Sequence, residues 1–135
     1  MNVRHILPSY VLSLDDEPFC PNQRLIDLGL ASAYHASQID LQTISQLFPE
    51  DTAIFINVWP GEHYRLLAAV VLVLKPKRIV EIGTATGASC LSMKKYLPYG
   101  GKITTYDVIP WNKYPGSGLK CTDFDSQLEQ RVIDL

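Results

Sequence analysis

The segment Arg78-Ile79-Val80-Glu81-Ile82-Gly83-Thr84-Ala85-Thr86-Gly87-Ala88-Ser89 constrains the fold more than any other part of the chain. Ile79, Val80 and Ile82 read as a short buried parallel strand carrying an acid near its end, and glycine then lets the chain turn. A helix is predicted to follow at once, over residues 88–97. Strand, glycine-rich turn and helix in immediate succession gather backbone N–H groups and a helix N-terminus around one point, a setting for an anionic ligand group. The acid before Gly83 narrows the ligand. A carboxylate there repels a pyrophosphate, whereas it accepts hydrogen bonds from an ammonium group or a ribose.

A second landmark follows. Gly100-Gly101 make a turn, and Lys102-Ile103-Thr104-Thr105-Tyr106 reads as a β-rich strand ending in Asp107. In a right-handed βαβ unit this strand lies parallel to the first, so Asp107 emerges at the same carboxyl edge as Glu81 and is positioned for a ribose diol. A ligand with an amino-acid end and a nucleoside meets both acids, and S-adenosylmethionine is such a ligand. A nicotinamide fingerprint, G-x-G-x-x-G, is not matched by Gly83-x-x-x-Gly87 with an acid before it. A P-loop is excluded, because no Gly-Lys-Ser or Gly-Lys-Thr triplet occurs.

Val80 to Ser89 and then Leu97 to Asp107 resemble the class I S-adenosylmethionine-dependent methyltransferases, most closely the small-molecule O-methyltransferases of the catechol and caffeoyl-CoA type. The resemblance is good over residues 60–110 and looser elsewhere. It implies an α/β, Rossmann-like parallel sheet with helices on both faces, preceded by N-terminal helices. It also implies that Glu81, Gly83, Thr84, Ala85, Gly87, Ser89, Asp107 and Val108 bind the cofactor. Within that set, Glu81 and the turn glycines surround the methionine part, Ser89 holds its carboxylate and Asp107 takes the ribose. Two departures from the pattern stand out: Ala85 replaces the middle glycine of the broader motif, and Ala88 replaces a common tyrosine. The implied activity is transfer of a methyl group, most often to oxygen, on a small-molecule acceptor. The alternative is a non-catalytic nucleoside- or dinucleotide-binding module of the same shape.

The strand pattern stops early. After Asp107 comes an aromatic, Pro/Gly-rich loop over residues 108–118. Residues 123–130 read as a short polar helix with Asp123 or Asp125 as cap, and residues 131–135 as the opening of a third strand. The expectation is therefore an N-terminal piece of a longer protein, with a helical cap over residues 1–59 and the first half of a cofactor-binding domain over residues 60–135. Metal-dependent members of the family take their metal ligands and general base from the other half, so no catalytic or metal-ligating residue is assigned here, and a divalent metal would be held by residues outside this chain. An open first-strand edge predicts self-association, most simply as a homodimer.

The N-terminal part reads as helical. Pro21 suits a first helical turn, and Leu25, Ile26, Leu28, Leu30 and Ala33 give an apolar face out to Ser37. Asp40 reads as the cap of a short helix ending near Phe48, and residues 53–58 as a short extended run. His63 to Lys75 reads as a helix ended by Pro76, its apolar run Leu66–Leu74 packing deeply against the sheet. That run is far shorter than the roughly 20 residues that span a bilayer.

Other residues carry less. His63 stands near the cofactor region but reads best as a solvent-facing helix start. His5 and His35 lack partners at zinc-ligand spacing. Cys20, Cys90 and Cys121 are far apart and fit reduced thiols in a cytoplasm, Cys90 as a small buried helix residue rather than a nucleophile. Asp15-Asp16-Glu17 reads as a solvated patch. Trp111, Tyr114 and Asp134 are weighed as adenine neighbours against simple loop packing. Twelve basic against fourteen acidic residues give a net charge of −2 with no basic stripe, which disfavours nucleic acid and anionic membrane as partners. Residues 1–8 show no apolar secretory core.

Overall fold

The computed structural model describes residues 22–60 and 63–133. Cys20, Pro21, His5, the acidic run at 15–17 and Asp134 lie outside the described residues. Helix α1 (Gln23–Gln38) begins at Asn22, whose side-chain oxygen accepts from the N–H groups of Arg24 and Leu25 at 3.1 and 3.4 Å. Asp40 stands one residue before the N-cap, Leu41, and its carboxylate accepts from the N–H of Gln42 at the start of α2 (Gln42–Ser45), a helix that ends three residues short of Phe48, where it was expected to end. The same oxygen accepts from Asn57 Nδ2, while Asn57 Oδ1 accepts from Leu41 N–H, so the two ends of this hairpin are tied together.

Residues 53–58 are not extended. Most of them belong to α3 (Glu50–Ile56), entered through Pro49 with Glu50 and Asp51 in its first turn, where acids favour a helix N-terminus. The β-branched and aromatic run that reads as a strand does not alternate in burial: Ile54 and Phe55 are exposed and Ile56 is fully buried. Helix α4 (Tyr64–Leu74) ends on Lys75 in the left-handed conformation, φ 49°, before Pro76. Its main packing partners are α1 and α5 (Ala88–Lys94) rather than the sheet, because α5 occupies the place beside the central strand. Ala68 and Ala69, both fully buried, give α4 a thin face toward its neighbours. Helix α5 is shorter than expected and tightens at its end, Tyr96 N–H bonding Met93 O and Leu97 N–H bonding Lys94 O.

The sheet is parallel, in the order β1 (Arg78–Ile82), β2 (Lys102–Asp107), β3 (Leu128–Val132). The expected polar helix over residues 123–130 is absent, and the third strand starts earlier than expected. Asp125 accepts from the N–H groups of Gln127 and Leu128, which launches β3 instead of a helix, and Cys121–Asp123 forms one 3-10 turn. Glu129 of β3 finds partners across the sheet, Lys102 and Thr104 of β2, and one on its own strand, Arg131.

Register sorts the strand residues into rows. Ile79, Ile103 and Leu128 stand side by side and form the apolar floor beneath the helices. Two residues nearer the carboxyl edge, on the same face, the row is Glu81, Thr105 and Gln130. The opposite face carries Val80, Thr104 and Glu129, then Ile82, Tyr106 and Arg131. Helices were expected on both faces. Among the described residues they gather on one, and Val80 and Ile82 on the other are 66% and 67% exposed.

Candidate functional site

The polar row ends beneath the glycine turn, and this is where the sequence-predicted residues meet. Gly83 leaves β1 at φ 91°, its N–H bonded to Tyr106 O at 2.8 Å. Ala85 follows at φ 45° and Gly87 at φ 86°, where the N–H of Gly87 closes the turn on Thr84 O at 2.9 Å. Gly87 must lack a side chain for a second reason. A Cβ there would sit 2.4 Å from Leu119 Cγ, whereas one on Gly83 would meet nothing within 4 Å. The turn is thus packed from below at Gly87 and open at Gly83.

Glu81 and Ser89 meet directly: the Ser89 hydroxyl, in the first turn of α5, donates to Glu81 Oε1. Burial pushes the Glu81 carboxyl above its ordinary range, and the hydroxyls of Ser89 and Thr105 and the charge of His63 offset part of that rise. Oε2 is buried with no hydrogen-bond partner of normal geometry. A buried acceptor left in that state is costly, and a donor brought by a ligand would satisfy it. His63 is exposed, stacks on Tyr64 with ring centroids 4.6 Å apart, and lies close enough to act electrostatically on Glu81.

Asp107 ends β2 on the other side of the turn. Its Oδ2 accepts from Ala85 N–H at 2.9 Å and its Oδ1 from Ile109 N–H at 3.1 Å. These two bonds, Ala85 first, hold its pKa below the usual carboxylate range. Each oxygen keeps a second lone pair for a ligand hydroxyl. Val108, next in the chain, is exposed at the same edge.

The remaining candidates have partners of their own. Cys90 is fully buried, its Sγ 3.2 Å from Gly87 O, and burial drives its thiol far above the ordinary value, so it stays protonated. Trp111 packs on Phe124 with ring centroids 5.2 Å apart. His35 sits edge-on to Tyr34. Among the described residues no group of three or more His, Cys, Asp or Glu side chains is arranged to hold a metal ion, and no helix is long and apolar enough to cross a membrane.

Two contributions were not legible beforehand. The loop after β2 crosses back over the turn, Gly118 N–H bonding Thr86 O at 3.0 Å while Leu119 fills the space at Gly87. Gln130, read as part of a polar helix, is instead beside Thr105 and bonds Thr84 at 3.0 Å. Neither leaves a local signal, since both contacts join segments more than 30 residues apart.

An orphaned buried oxygen on Glu81, an open space over Gly83 and free lone pairs on Asp107 fit a ligand with a cationic amino-acid end and a ribose. No individual curated protein matches the chain. Residues 33–117 match the model of a family described as O-methyltransferase. That match covers well over half of the chain, which therefore belongs to the O-methyltransferase family, enzymes that use S-adenosylmethionine as methyl donor.

Proposed function

We propose that the chain holds S-adenosylmethionine between Glu81 and Asp107 and presents its methyl group to an oxygen nucleophile of a small molecule. When bound, the cofactor supplies an electrophilic methyl on a sulfonium centre. The chain's share is position and electrostatics. Glu81 accepts from the ammonium of the methionine end, in a site dry enough for that charge pair to count. Ser89, already bonded to Glu81, turns its hydroxyl to the neighbouring carboxylate group. Gly83, Thr84, Ala85 and Gly87 form the turn, which is open to a ligand over Gly83. Asp107 accepts from the ribose hydroxyls, with Val108 beside it.

The observation that carries this reading is the juxtaposition of two acids on adjacent parallel strands, with Ala85 N–H of the intervening turn bonded to the second. It is tested by titrating the chain with S-adenosylhomocysteine, wild type beside Asp107→Ala. The variant is expected to bind at least about tenfold more weakly, the cost of losing hydrogen bonds to a charged group. An unchanged affinity would remove the ribose role.

Three finer readings go with it. The free thiols of Cys90 and Cys121 suit a reducing compartment such as the cytoplasm. A divalent metal used in the transfer would draw its ligands from outside the described residues. β1 is an edge strand with two exposed apolar side chains, which supports a homodimer joined there.

A further inference from the structure

Gln130 makes three hydrogen bonds, and they all lead to the same place. Its Oε1 accepts from Trp111 N–H at 2.8 Å, and its Nε2 donates to Ile109 O at 3.2 Å and to Thr84 Oγ1 at 3.0 Å. A backbone N–H can only donate and a carbonyl can only accept, so these two partners fix which way the amide faces. Thr84 Oγ1 consequently accepts a hydrogen bond from Gln130, and it shares a second with Thr105 Oγ1, 2.8 Å away. Thr84 and Thr105 are 2% and 0% exposed, so water cannot replace these bonds. Register continues the line, because Gln130, Thr105 and Glu81 are lateral neighbours on three adjacent strands.

The same two backbone segments are tied a second time, by Asp107, which bonds Ala85 of the turn and Ile109 of the following loop. Asp107 is the partly exposed tie and the one facing ligand. Gln130 is the tie from within the sheet, both its amide hydrogens being engaged and its oxygen bonded to Trp111 N–H. We propose that Gln130 is a positioning residue for cofactor binding: by holding Thr84 and the 109–111 segment together, it keeps the glycine turn and the Asp107 loop in register. This rests on the cofactor site read above. Gln130 does not touch the cofactor; it acts through Thr84.

The test uses the full chain, with amide hydrogen exchange and S-adenosylhomocysteine titration on wild type, Gln130→Leu and Gln130→Glu. Gln130→Leu removes all three bonds, and the amides of Gly87 and Trp111 should exchange about tenfold faster while those of α1 and α4 keep their protection. Gln130→Glu keeps an acceptor for Trp111 N–H but presents an oxygen to Thr84 and Ile109 O where a donor stood. It should loosen Gly87 and spare Trp111. Both variants should bind S-adenosylhomocysteine about tenfold more weakly than wild type. Unchanged Gly87 exchange in both variants overturns the proposal, as does a loosened turn that binds with wild-type affinity. A wild-type chain that binds no S-adenosylhomocysteine defeats the reading of the site instead, and the exchange result then decides whether Gln130 holds the turn.

Discussion

Glu81 occupies a position where a carboxylate is costly: on the covered face of the sheet, one oxygen bonded to Ser89 and the other without a hydrogen bond of normal geometry. Its raised pKa gives a definite sign to the pH dependence. A carboxyl held above its ordinary 4.5 when folded contributes stability that is complete below that pH and is lost as pH rises through the folded value. Glu81→Gln keeps an acceptor for Ser89 but cannot ionise. It should therefore raise the melting temperature at neutral pH and leave it nearly unchanged in acid below 4.5. Equal shifts at both pH values would contradict the burial argument. Asp107 runs the other way, since its lowered pKa gives stability that is lost as pH falls below its ordinary 3.8. The two acids were legible because turn chemistry is local: acid, glycine and a following helix sit within one short stretch. Gln130 was not, since its partner Thr84 is 46 residues away and a glutamine in a polar stretch announces nothing.

Elements show the same division. β1, α5 and β2 were readable from apolar runs bounded by glycine, and α4 from an apolar stretch closed by Pro76. α3 was mistaken because Ile54, Phe55 and Ile56 carry strand propensity, while its helical state is set by Pro49 and the acids after it. β3 was mistaken because its Glu129 and Arg131 lie on the face that no helix covers among the described residues, where polar side chains pair with one another and with Lys102 instead of alternating with apolar ones. Helix α4 offers a prediction at this scale. Lys75 closes it at φ 49°, a conformation that costs a residue with a Cβ about 1 kcal/mol or more. Lys75→Gly should raise the stability by roughly 0.5–1 kcal/mol, net of the added freedom of the unfolded chain, and the melting temperature by a few degrees. A drop would mean that the Lys75 side chain has a role the cap geometry does not reveal.

At the scale of the molecule, the helices and the site share one face and one edge of the sheet, and the other face is bare of helices among the described residues. Val80 and Ile82 on that face, at the edge strand, form an exposed apolar surface that association would cover. A homodimer through β1 should appear by light scattering at micromolar concentration as twice the chain mass; a clean monomer there contradicts it. Site and edge adjoin, so pairing at β1 would also brace the strand that carries Glu81. The central claim, that this edge of the sheet is a site for S-adenosylmethionine, is tested most directly by calorimetric titration of the chain with S-adenosylhomocysteine, with NADH as control. The account predicts saturable binding of S-adenosylhomocysteine and none of NADH; binding of NADH alone would contradict it.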